Sequence, residues 1–270
     1  MAKEKYIHGF DSIEQKRLIH QAEFLEPYVY AGVDLEFTER LLEVGCGVGA
    51  QTKILIRRFP KIKIDGLDLS EAQLTAAKKY LKNEIADQQV RLFQGDAQKF
   101  EIKAPKYDAA FLCWFLEHVP DPLKALKRVR KHLKSGAKIY CSEVFNQTLF
   151  VEPYSPAYLK YWFQFNDLQW SLGGHPFVGG MMGHYLKEAG FVDIQIEVRP
   201  FHFDSRHPQR RQVFMEYFYQ ILLSAKDSLI KEKRVTKEMI RQMDAEVENF
   251  KKAPDSVFFY SWIRATARVP

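Results

Sequence analysis

The feature that most constrains the fold is a short apolar segment that runs directly into three closely spaced glycines. Within residues 40–52, the apolar run is followed by Gly45, Gly47 and Gly49 at alternate positions. Glycine lets a backbone turn sharply and leaves space for a ligand against the main chain. A helical pattern begins near Ala50, and the free N–H groups of its first turn would face that space. The segment therefore predicts a strand, a tight turn and a helix that together hold a small polar molecule.

The same strand–helix alternation continues along the chain. Strands are predicted at 40–44, 63–68, 90–94, 107–114, 137–144, 191–198 and 257–266, and helices at 11–26, 51–59, from 70 to about 85, from 122 to near 136, 181–189, 208–231 and 236–251. Strands that alternate with helices of about 10–15 residues are typical of a parallel sheet with right-handed crossovers. Ligands of such sheets bind beyond the carboxyl ends of the strands, where the glycine turn lies.

Two segments interrupt this alternation. The chain has 21 Phe, 13 Tyr and 4 Trp, and these residues are concentrated after residue 145. We therefore predict an α/β core with helical and aromatic insertions that cap the ligand side. The predicted parts are an N-terminal helical cover (1–30), the core (31–145, 179–202 and 254–270) and two insertions (146–178 and 203–253).

Composition argues against several classes of protein. No apolar run reaches the roughly 20 residues that span a bilayer, and residues 1–5 lack the apolar stretch of a signal peptide. The cysteines show no metal-ligand spacing, so we expect no bound metal and a cytoplasmic protein. The net charge of +6 is interpreted as solvated helix faces, with an acidic substrate or weak contact with nucleic acid as the alternatives.

The residues alone leave the identity of the ligand open. The spacing of Gly45, Gly47 and Ala50 matches a dinucleotide fingerprint, and Asp68 follows about 20 residues later, where a carboxylate suits a pair of ribose hydroxyls. A nicotinamide-dependent oxidoreductase therefore remains an alternative at this point. Glu43 and Asp96 favour another ligand, because Glu43 can face a cationic group and would repel a pyrophosphate. Asp96 can accept a hydrogen bond from an exocyclic amino group.

Several motifs, taken in order, resemble those of class I S-adenosylmethionine-dependent methyltransferases, particularly the UbiE-like branch that acts on small molecules. The matching stretches are Leu-Glu-Val-Gly-Cys-Gly-Val-Gly, Gly-Leu-Asp-Leu-Ser-Glu-Ala-Gln-Leu, Gln-Gly-Asp-Ala, Tyr-Asp-Ala-Ala-Phe-Leu-Cys-Trp-Phe-Leu-Glu-His-Val-Pro-Asp-Pro and Leu-Lys-Glu-Ala-Gly-Phe. They fall within residues 40–145 and 181–198. The resemblance implies a Rossmann-like sheet of seven strands, mostly parallel, with the last strand antiparallel.

The resemblance also implies a set of cofactor-binding residues for S-adenosylmethionine and its product S-adenosylhomocysteine. The methionyl part would be held by Gly45, Gly47 and Gly49, with Glu43 near its amino group and the backbone carbonyl of Cys113 meeting the same ammonium. The ribose hydroxyls would be bound by Asp68. The adenine would be bordered by Leu69, and its amino group would face Asp96 and Ala97. Similar enzymes cover the cofactor with an N-terminal segment, which adds residues 6–10 and Gln21. The structural alternatives are a helix cap for Asp68 and a turn for Asp96.

Methyl transfer requires a base only when the acceptor is a hydroxyl, a carbon acid or a protonated amine. His118 is the first candidate because it follows the fourth strand, although this His also recurs in the resembling family as part of its architecture. Glu143 and His175 are the other candidates. The predicted reaction is an in-line displacement at the methyl carbon, with the choice between O-, N- and C-methylation left open.

The aromatic insertion is the predicted acceptor site. Tyr158, Trp162, Phe165 and Trp170 are expected to contact a flat or apolar small molecule, or else to form the insertion's own core. We expect no nucleic-acid partner and no membrane span, and the aromatic helices suggest a homodimer. The remaining alternative is a cofactor-binding protein that docks RNA or a protein partner.

Overall fold

The computed structural model describes residues 12–270, so the predicted cover at residues 6–10 lies outside the described residues. The strands are β1 (Arg40–Val44), β2 (Lys63–Asp68), β3 (Val90–Gln94), β4 (Tyr107–Cys113), β5 (Leu133–Val144), β6 (Phe150–Glu152), β7 (Val192–Phe203) and β8 (Val257–Arg268). The helices are α1 (Ser12–Val29), α2 (Ala50–Arg58), α3 (Glu71–Tyr80), α4 (Lys82–Ala86), α5 (Pro122–Lys131), α6 (Pro156–Ser171), α7 (Met182–Glu188), α8 (Pro208–Ser224), α9 (Lys226–Lys231) and α10 (Lys237–Lys252). Short 3₁₀ turns cover Leu116–His118, Asn146–Thr148 and Val178–Met181.

In this part of the chain, eight strands form a single sheet. From one edge the order is β3, β2, β1, β4, β5 and β8, and β7 pairs with the other side of β8. Strands β1 to β5 are parallel, whereas β8 runs antiparallel to β5, β6 and β7. The predicted Rossmann-like sheet with an antiparallel last strand is confirmed. The sheet has one strand more than the seven that the sequence predicts. The additional strand is β6, a three-residue segment that pairs with the start of β8.

The sheet separates two hydrophobic cores, since successive side chains of a strand point to opposite faces. Leu41 and Phe111 belong to the core that includes α1, α2, α6, α8 and α10. Leu42 and Leu112 belong to the core that includes α5 and α7. Because β1, β2 and β4 are parallel, their carboxyl ends lie at the same edge of the sheet. Helices rich in aromatic residues pack beside these ends on one face.

Helix α1 continues past Pro27, although the sequence predicts that it ends there. A proline inside a helix removes one hydrogen bond and crowds the carbonyl group four residues earlier, but here the next turn is stabilised from elsewhere in the fold. The guanidinium of Arg264, which is 2% exposed, donates hydrogen bonds to the carbonyl oxygens of Val29 and Ala31. These bonds satisfy carbonyl groups that the end of a helix leaves free.

Two further elements differ from their predicted forms. The predicted helix at 208–231 is divided into α8 and α9 at Ala225, which allows both Ala225 and Leu229 to be completely buried. The segment 146–178, which showed no clear period, contains the 16-residue helix α6. One half of α6 is buried, but Asn166 and Gln169 lie on the buried half while Phe163 and Trp170 are exposed, so the helix lacks the polar stripe that marks a helix in a sequence. The division of the chain into core and insertions stays a prediction.

No helix within residues 12–270 is long and apolar enough to cross a membrane. The same residues contain no group of three or more His, Cys, Asp or Glu side chains arranged to hold a metal ion.

Candidate functional site

The glycine turn is tied to the end of the neighbouring strand β2. The backbone N–H groups of Gly45 and Cys46 both donate to the carbonyl oxygen of Leu67, at 2.8 and 3.1 Å. The N–H of Gly47 donates to Oδ2 of Asp68 at 2.8 Å. The turn and Asp68 are therefore one hydrogen-bonded unit at the carboxyl ends of β1 and β2.

The glycines of this turn serve different structural purposes. Gly45 has φ +77°, and a Cβ built there would lie 2.2 Å from Cδ2 of Phe115. Gly47 has φ +50°, but a Cβ built there would meet no atom within 4 Å. Gly49 precedes α2 and packs on Leu81, and it does not line the cavity described below. Gly45 therefore permits close packing, whereas Gly47 leaves space for a ligand.

The carboxylate of Asp68 connects the turn to helix α3. Its Oδ1 accepts a hydrogen bond from the N–H of Ser70 at 2.9 Å, in addition to the bond from Gly47 to Oδ2. The N-cap of α3 is Ser70, which accepts from the N–H of Gln73. Each carboxylate oxygen of Asp68 has capacity for a further donor, so the side chain can brace the turn and also bind a hydroxyl group.

A cavity of about 310 Å³ opens in front of this unit. Its residues come from α1, from the carboxyl ends of β1, β2, β3 and β4, and from α6, α8, β7 and β8. The lining includes Arg17, Gln21, Gly45, Gly47, Asp68, Leu69, Gln73, Asp96, Ala97, Cys113, Trp114, Glu117, His118, Asn146, Trp162, Phe165, Phe201, Tyr217, Phe218, Ile221 and Tyr260. One end is therefore polar and lies over the glycine turn, and the other end is mainly aromatic.

The predicted cofactor residues occupy the polar end, with two exceptions. Asp96 lines the cavity and accepts hydrogen bonds from the backbone and side chain of Gln98. Leu69 is 53% exposed, which suits an apolar surface that a flat ligand would cover. Gln21, Ala97 and Cys113 also line the cavity. Gly49 does not, as described above, and Glu43 is the second exception.

Glu43 lies behind the turn and not in the cavity lining, which corrects the expectation that it faces the ligand. Its side chain is 2% exposed, and its Oε2 accepts a hydrogen bond from Oγ1 of Thr52 at 2.6 Å. Burial raises the pKa of Glu43 to about 8, and the nearby charge of Asp68 adds to the rise while the bond from Thr52 opposes it. At neutral pH this carboxyl group is largely uncharged, so its position alone does not argue against a pyrophosphate.

This raised pKa predicts a specific dependence of stability on pH. The folded state holds the proton of Glu43 more tightly than the unfolded chain, so the free energy of unfolding decreases as the pH rises from about 4.5 toward 8. We expect Glu43→Gln, which keeps an acceptor for Thr52, to reduce the fall in melting temperature between about pH 5 and pH 8.5. Glu188→Gln, at an exposed carboxylate on α7, is the control. Equal pH slopes for Glu43→Gln and the unmodified protein would contradict the assignment.

Gln73 is a cavity residue that the sequence analysis missed. It is 4% exposed and lines the polar end, and its side-chain oxygen Oε1 is buried without a hydrogen-bond partner in the described residues. A buried acceptor without a partner costs roughly 1–3 kcal/mol, so a bound molecule with a hydrogen-bond donor would satisfy it. The position of Gln73 at the first turn of α3 gave no signal beyond a capping pattern.

The turn Leu116–His118 places two titratable side chains in the cavity lining. His118 lines the cavity, as does its neighbour Glu117. Oε1 of Glu117 lies 3.7 Å from Nε2 of His118, and Oε2 accepts a hydrogen bond from Nε2 of Gln169 at 2.8 Å. The sequence pattern favoured His118 and not Glu117, because a glutamate on a short loop is usually interpreted as a solvent-exposed residue.

Glu143 does not reach the cavity, so its predicted role as a base is not supported by its position. The side chain is completely buried, and its Oε1 accepts hydrogen bonds from the N–H groups of Phe115 and Leu116 at 3.3 and 2.9 Å. Burial raises the pKa of Glu143 to about 8, with a further rise from the charge of Glu117. Its position shows that Glu143 holds the start of the 116–118 turn.

Three other predicted side chains also lie outside the cavity lining. His175 packs edge-on against Trp170, and its Nδ1 accepts a hydrogen bond from the N–H of Phe177. Trp170 is 57% exposed on the outer side of α6. Tyr158 is completely buried, and its hydroxyl has no partner in this part of the chain. In each case the rotation of α6 or of the following loop directs the side chain away from the cavity.

Trp162 and Phe165 do line the aromatic end of the cavity, stacked on each other with ring centroids 6.0 Å apart. Residues that the sequence analysis did not select complete this wall: Asn146, Phe201, Tyr217, Phe218, Ile221 and Tyr260. Asn146 is held by Tyr260, whose hydroxyl donates to Oδ1 at 2.9 Å. These residues come from separate helices and strands, and only tertiary packing brings them together.

The observed site fits a nucleoside-type ligand with a polar tail. The open space at Gly47, the carboxylate of Asp68 and the unpartnered amide oxygen of Gln73 surround one end of the cavity. A parallel sheet that binds such a ligand beyond its first two strands is typical of nucleotide- and cofactor-binding α/β proteins. The fold and site therefore define a cofactor-binding α/β protein with an adjoining aromatic pocket.

Comparison with known proteins narrows this class. Residues 42–139 match the model of a family described as a methyltransferase domain. A demethylmenaquinone methyltransferase of Lactococcus lactis subsp. lactis is 32% identical over 161 residues, which is 59% of this chain and 59% of that protein. The match thus spans about three-fifths of the relative's length.

Solved structures show the same fold at lower sequence identity. A phosphoethanolamine N-methyltransferase of Haemonchus contortus gives a TM-score of 0.61 at 17% identity, covering 100% of this chain and 61% of the other. The cyclase SpnF gives a TM-score of 0.57 at 21% identity, covering 93% of this chain and 80% of the other. The resemblance to class I S-adenosylmethionine-dependent methyltransferases of the UbiE-like type is confirmed by this family model and this relative. S-adenosylmethionine is the cofactor of that class, as predicted from the sequence.

Proposed function

We propose that this protein transfers a methyl group from S-adenosylmethionine to a small acceptor that is apolar or aromatic. The observation that carries the proposal is that one continuous cavity of about 310 Å³ joins the glycine turn and Asp68 to an aromatic wall. One end has the groups that suit an adenosine and an amino-acid tail. The other end has the side chains that suit a flat, apolar molecule.

The cofactor, when bound, supplies a methyl group on a sulfonium, which is already an excellent leaving group. For its binding we propose Gly45 and Gly47 at the amino-acid end, Asp68 at the ribose, and Leu69, Asp96 and Ala97 around the adenine. Gln21 and Cys113 complete this set. These assignments follow the resemblance and agree with the position of each residue in the cavity lining.

The protein's contribution is orientation and the exclusion of water. Reactions between groups held in line gain several kcal/mol from orientation alone. Trp162, Phe165 and Phe218 form a wall that restricts the acceptor and keeps water away from its reacting atom. His118, which also lines the cavity, remains a proposed site residue.

The names of the relatives support an acceptor of this kind. Demethylmenaquinone, which appears in the name of the Lactococcus relative, is consistent with a flat, apolar acceptor. Because the match covers 59% of that protein, the acceptor of this chain remains a proposal at the level of a small apolar or aromatic molecule.

The alternative functions have less support. An oxidoreductase would bind a dinucleotide, and no relative or solved structure reported above is an oxidoreductase by name. The proposal retains a cytoplasmic location and a small-molecule partner. It does not extend to a homodimer, because the aromatic residues of α8 that suggested one, such as Phe214 and Phe218, are 1% and 4% exposed and lie inside the fold.

Ligand-induced stabilisation tests the cofactor. At an S-adenosylhomocysteine concentration of about 100 times Kd, the free energy of unfolding should increase by about 2.7 kcal/mol, which raises the melting temperature measurably. NADH at the same concentration should cause no such increase. Stabilisation by NADH and none by S-adenosylhomocysteine would reverse the proposal.

A further inference from the structure

We propose that Glu117, and not the neighbouring His118, accepts the proton of a hydroxyl group on the acceptor. This inference rests on the proposed methyl-transfer function and assigns a catalytic residue to it. Three observations support it: the rigidity of the turn that carries Glu117, the free hydrogen-bonding capacity of one carboxylate oxygen, and the position of the carboxylate relative to the aromatic wall.

The backbone around Glu117 is fixed from two sides. On one side, Glu143 accepts the N–H groups of Phe115 and Leu116. On the other side, the carbonyl oxygen of Glu117 accepts the N–H of His175 at 2.7 Å. A Cβ at Gly174 would lie 2.6 Å from this carbonyl oxygen, so the glycine permits the close approach. A group held in this way is suited to catalysis, which needs its geometry set before the substrate arrives.

The side chain of Glu117 has one oxygen available. It is 8% exposed and lines the cavity. Oε2 accepts a hydrogen bond from Gln169, whereas Oε1 accepts none from residues 12–270 and has Nε2 of His118 at 3.7 Å. This oxygen therefore keeps its capacity to accept a hydrogen bond from a molecule in the cavity. A hydroxyl group in the cavity would supply the donor.

Glu117 is tied to the helix that carries part of the aromatic wall. Its Oε2 accepts a hydrogen bond from Nε2 of Gln169 on α6, and Trp162 and Phe165 of the same helix line the cavity. The charge of Glu117 also adds to the burial that raises the pKa of Tyr260 in that wall. The carboxylate therefore lies on the aromatic side of the cavity, where the acceptor is proposed to bind.

In the proposed step the O–H bond of the acceptor breaks, its proton passes to Oε1 of Glu117, and the electron pair stays on the acceptor as the nucleophile.

The test uses three probes of similar shape: 2-naphthol, naphthalene and 2-(aminomethyl)naphthalene. Binding to the purified protein is followed by quenching of the cavity tryptophans Trp114 and Trp162, with and without S-adenosylhomocysteine. We expect 2-naphthol to bind about tenfold or more tightly than naphthalene, as a hydrogen bond to a charged group implies. In Glu117→Gln this ratio should fall to about threefold or less.

Control variants separate this role from a general effect on the fold. His118→Gln should keep the preference for 2-naphthol. Glu101→Gln, at a residue outside the cavity lining, should leave the affinities for all three probes unchanged. Glu117→Gln should bind S-adenosylhomocysteine within about twofold of the unmodified protein, since a hydrogen bond lost to the cofactor would cost more. If Glu117→Gln does not fold, Glu117→Asp, which withdraws the carboxylate by one methylene, should show the same fall in the ratio.

The outcomes are distinct for each proposal. An unchanged ratio in Glu117→Gln, a loss of the ratio in His118→Gln alone, or an affinity for the amine that Glu117→Gln leaves unchanged would each overturn the assignment of Glu117. A protein that shows the expected naphthol ratio and does not bind S-adenosylhomocysteine would instead contradict the proposed methyl-transfer function.

Discussion

Gly45→Ala is expected to destabilise the protein by roughly 2–5 kcal/mol, the sum of a left-handed backbone conformation and an overpacked core. The new methyl group would lie 2.2 Å from the ring of Phe115, and residue 45 has φ +77°. Rotation of the Phe115 ring cannot relieve the whole clash, because the methyl group would also lie 3.0 Å from Cβ of Phe115. Urea unfolding, followed by circular dichroism, measures the effect.

Gly47→Ala provides a matched comparison in the same turn. Its Cβ would meet no protein atom within 4 Å, so we expect a loss of stability of only about 1–2 kcal/mol from the backbone conformation. The methyl group would occupy the space left for the ligand, and Kd for S-adenosylhomocysteine should increase by roughly 5- to 150-fold, as overpacking implies. If Gly47→Ala binds the ligand normally, the turn does not hold it.

Asp68→Ala is expected to weaken binding of S-adenosylhomocysteine by roughly 1.5–3 kcal/mol, which is about a 10- to 150-fold increase in Kd. The carboxylate braces the glycine turn through Gly47 and the start of α3 through Ser70. Its removal should therefore affect both the proposed ribose contact and the shape of the turn. Isothermal titration calorimetry measures the change.

A fragment of the ligand sharpens this experiment. 5′-Methylthioadenosine keeps the ribose and the adenine but lacks the amino-acid tail, so Asp68→Ala should weaken its binding by a similar factor. Asp87→Ala, at an exposed aspartate directly after α4 and outside the cavity lining, serves as the control. Unchanged affinity for both ligands in Asp68→Ala would remove Asp68 from the proposed site.

Most of the parallel core could be predicted from the sequence because its signals are local. Strands β1, β2 and β3 have the predicted bounds. Ser70 and Asp121 cap α3 and α5 close to the predicted starts of these helices. Strand β6 and the end of α1 could not be predicted in this way. Both depend on partners more than 100 residues away, in β8.

The candidate site shows the same division. Asp68 and Asp96 lie in the cavity lining, since parallel strands bring their carboxyl ends to one edge of the sheet. Glu43 also follows the strand pattern, yet its side chain points under the turn and bonds to Thr52. A strand alternates its side chains between two faces, and sequence position alone does not show which face the ligand occupies.

The sequence by itself determined the class of sheet, the glycine turn and the position of Asp68 beside it, because periodicity and turn chemistry act over a few residues. Only the tertiary structure decided which side chains line the aromatic end of the cavity. Tyr217 and Tyr260 reach it from α8 and β8, and Glu117 lines the same cavity and accepts a hydrogen bond from Gln169 of α6. Such directions depend on how distant helices pack and on a clamped short turn. These result from many weak contacts that leave no periodic pattern in the sequence.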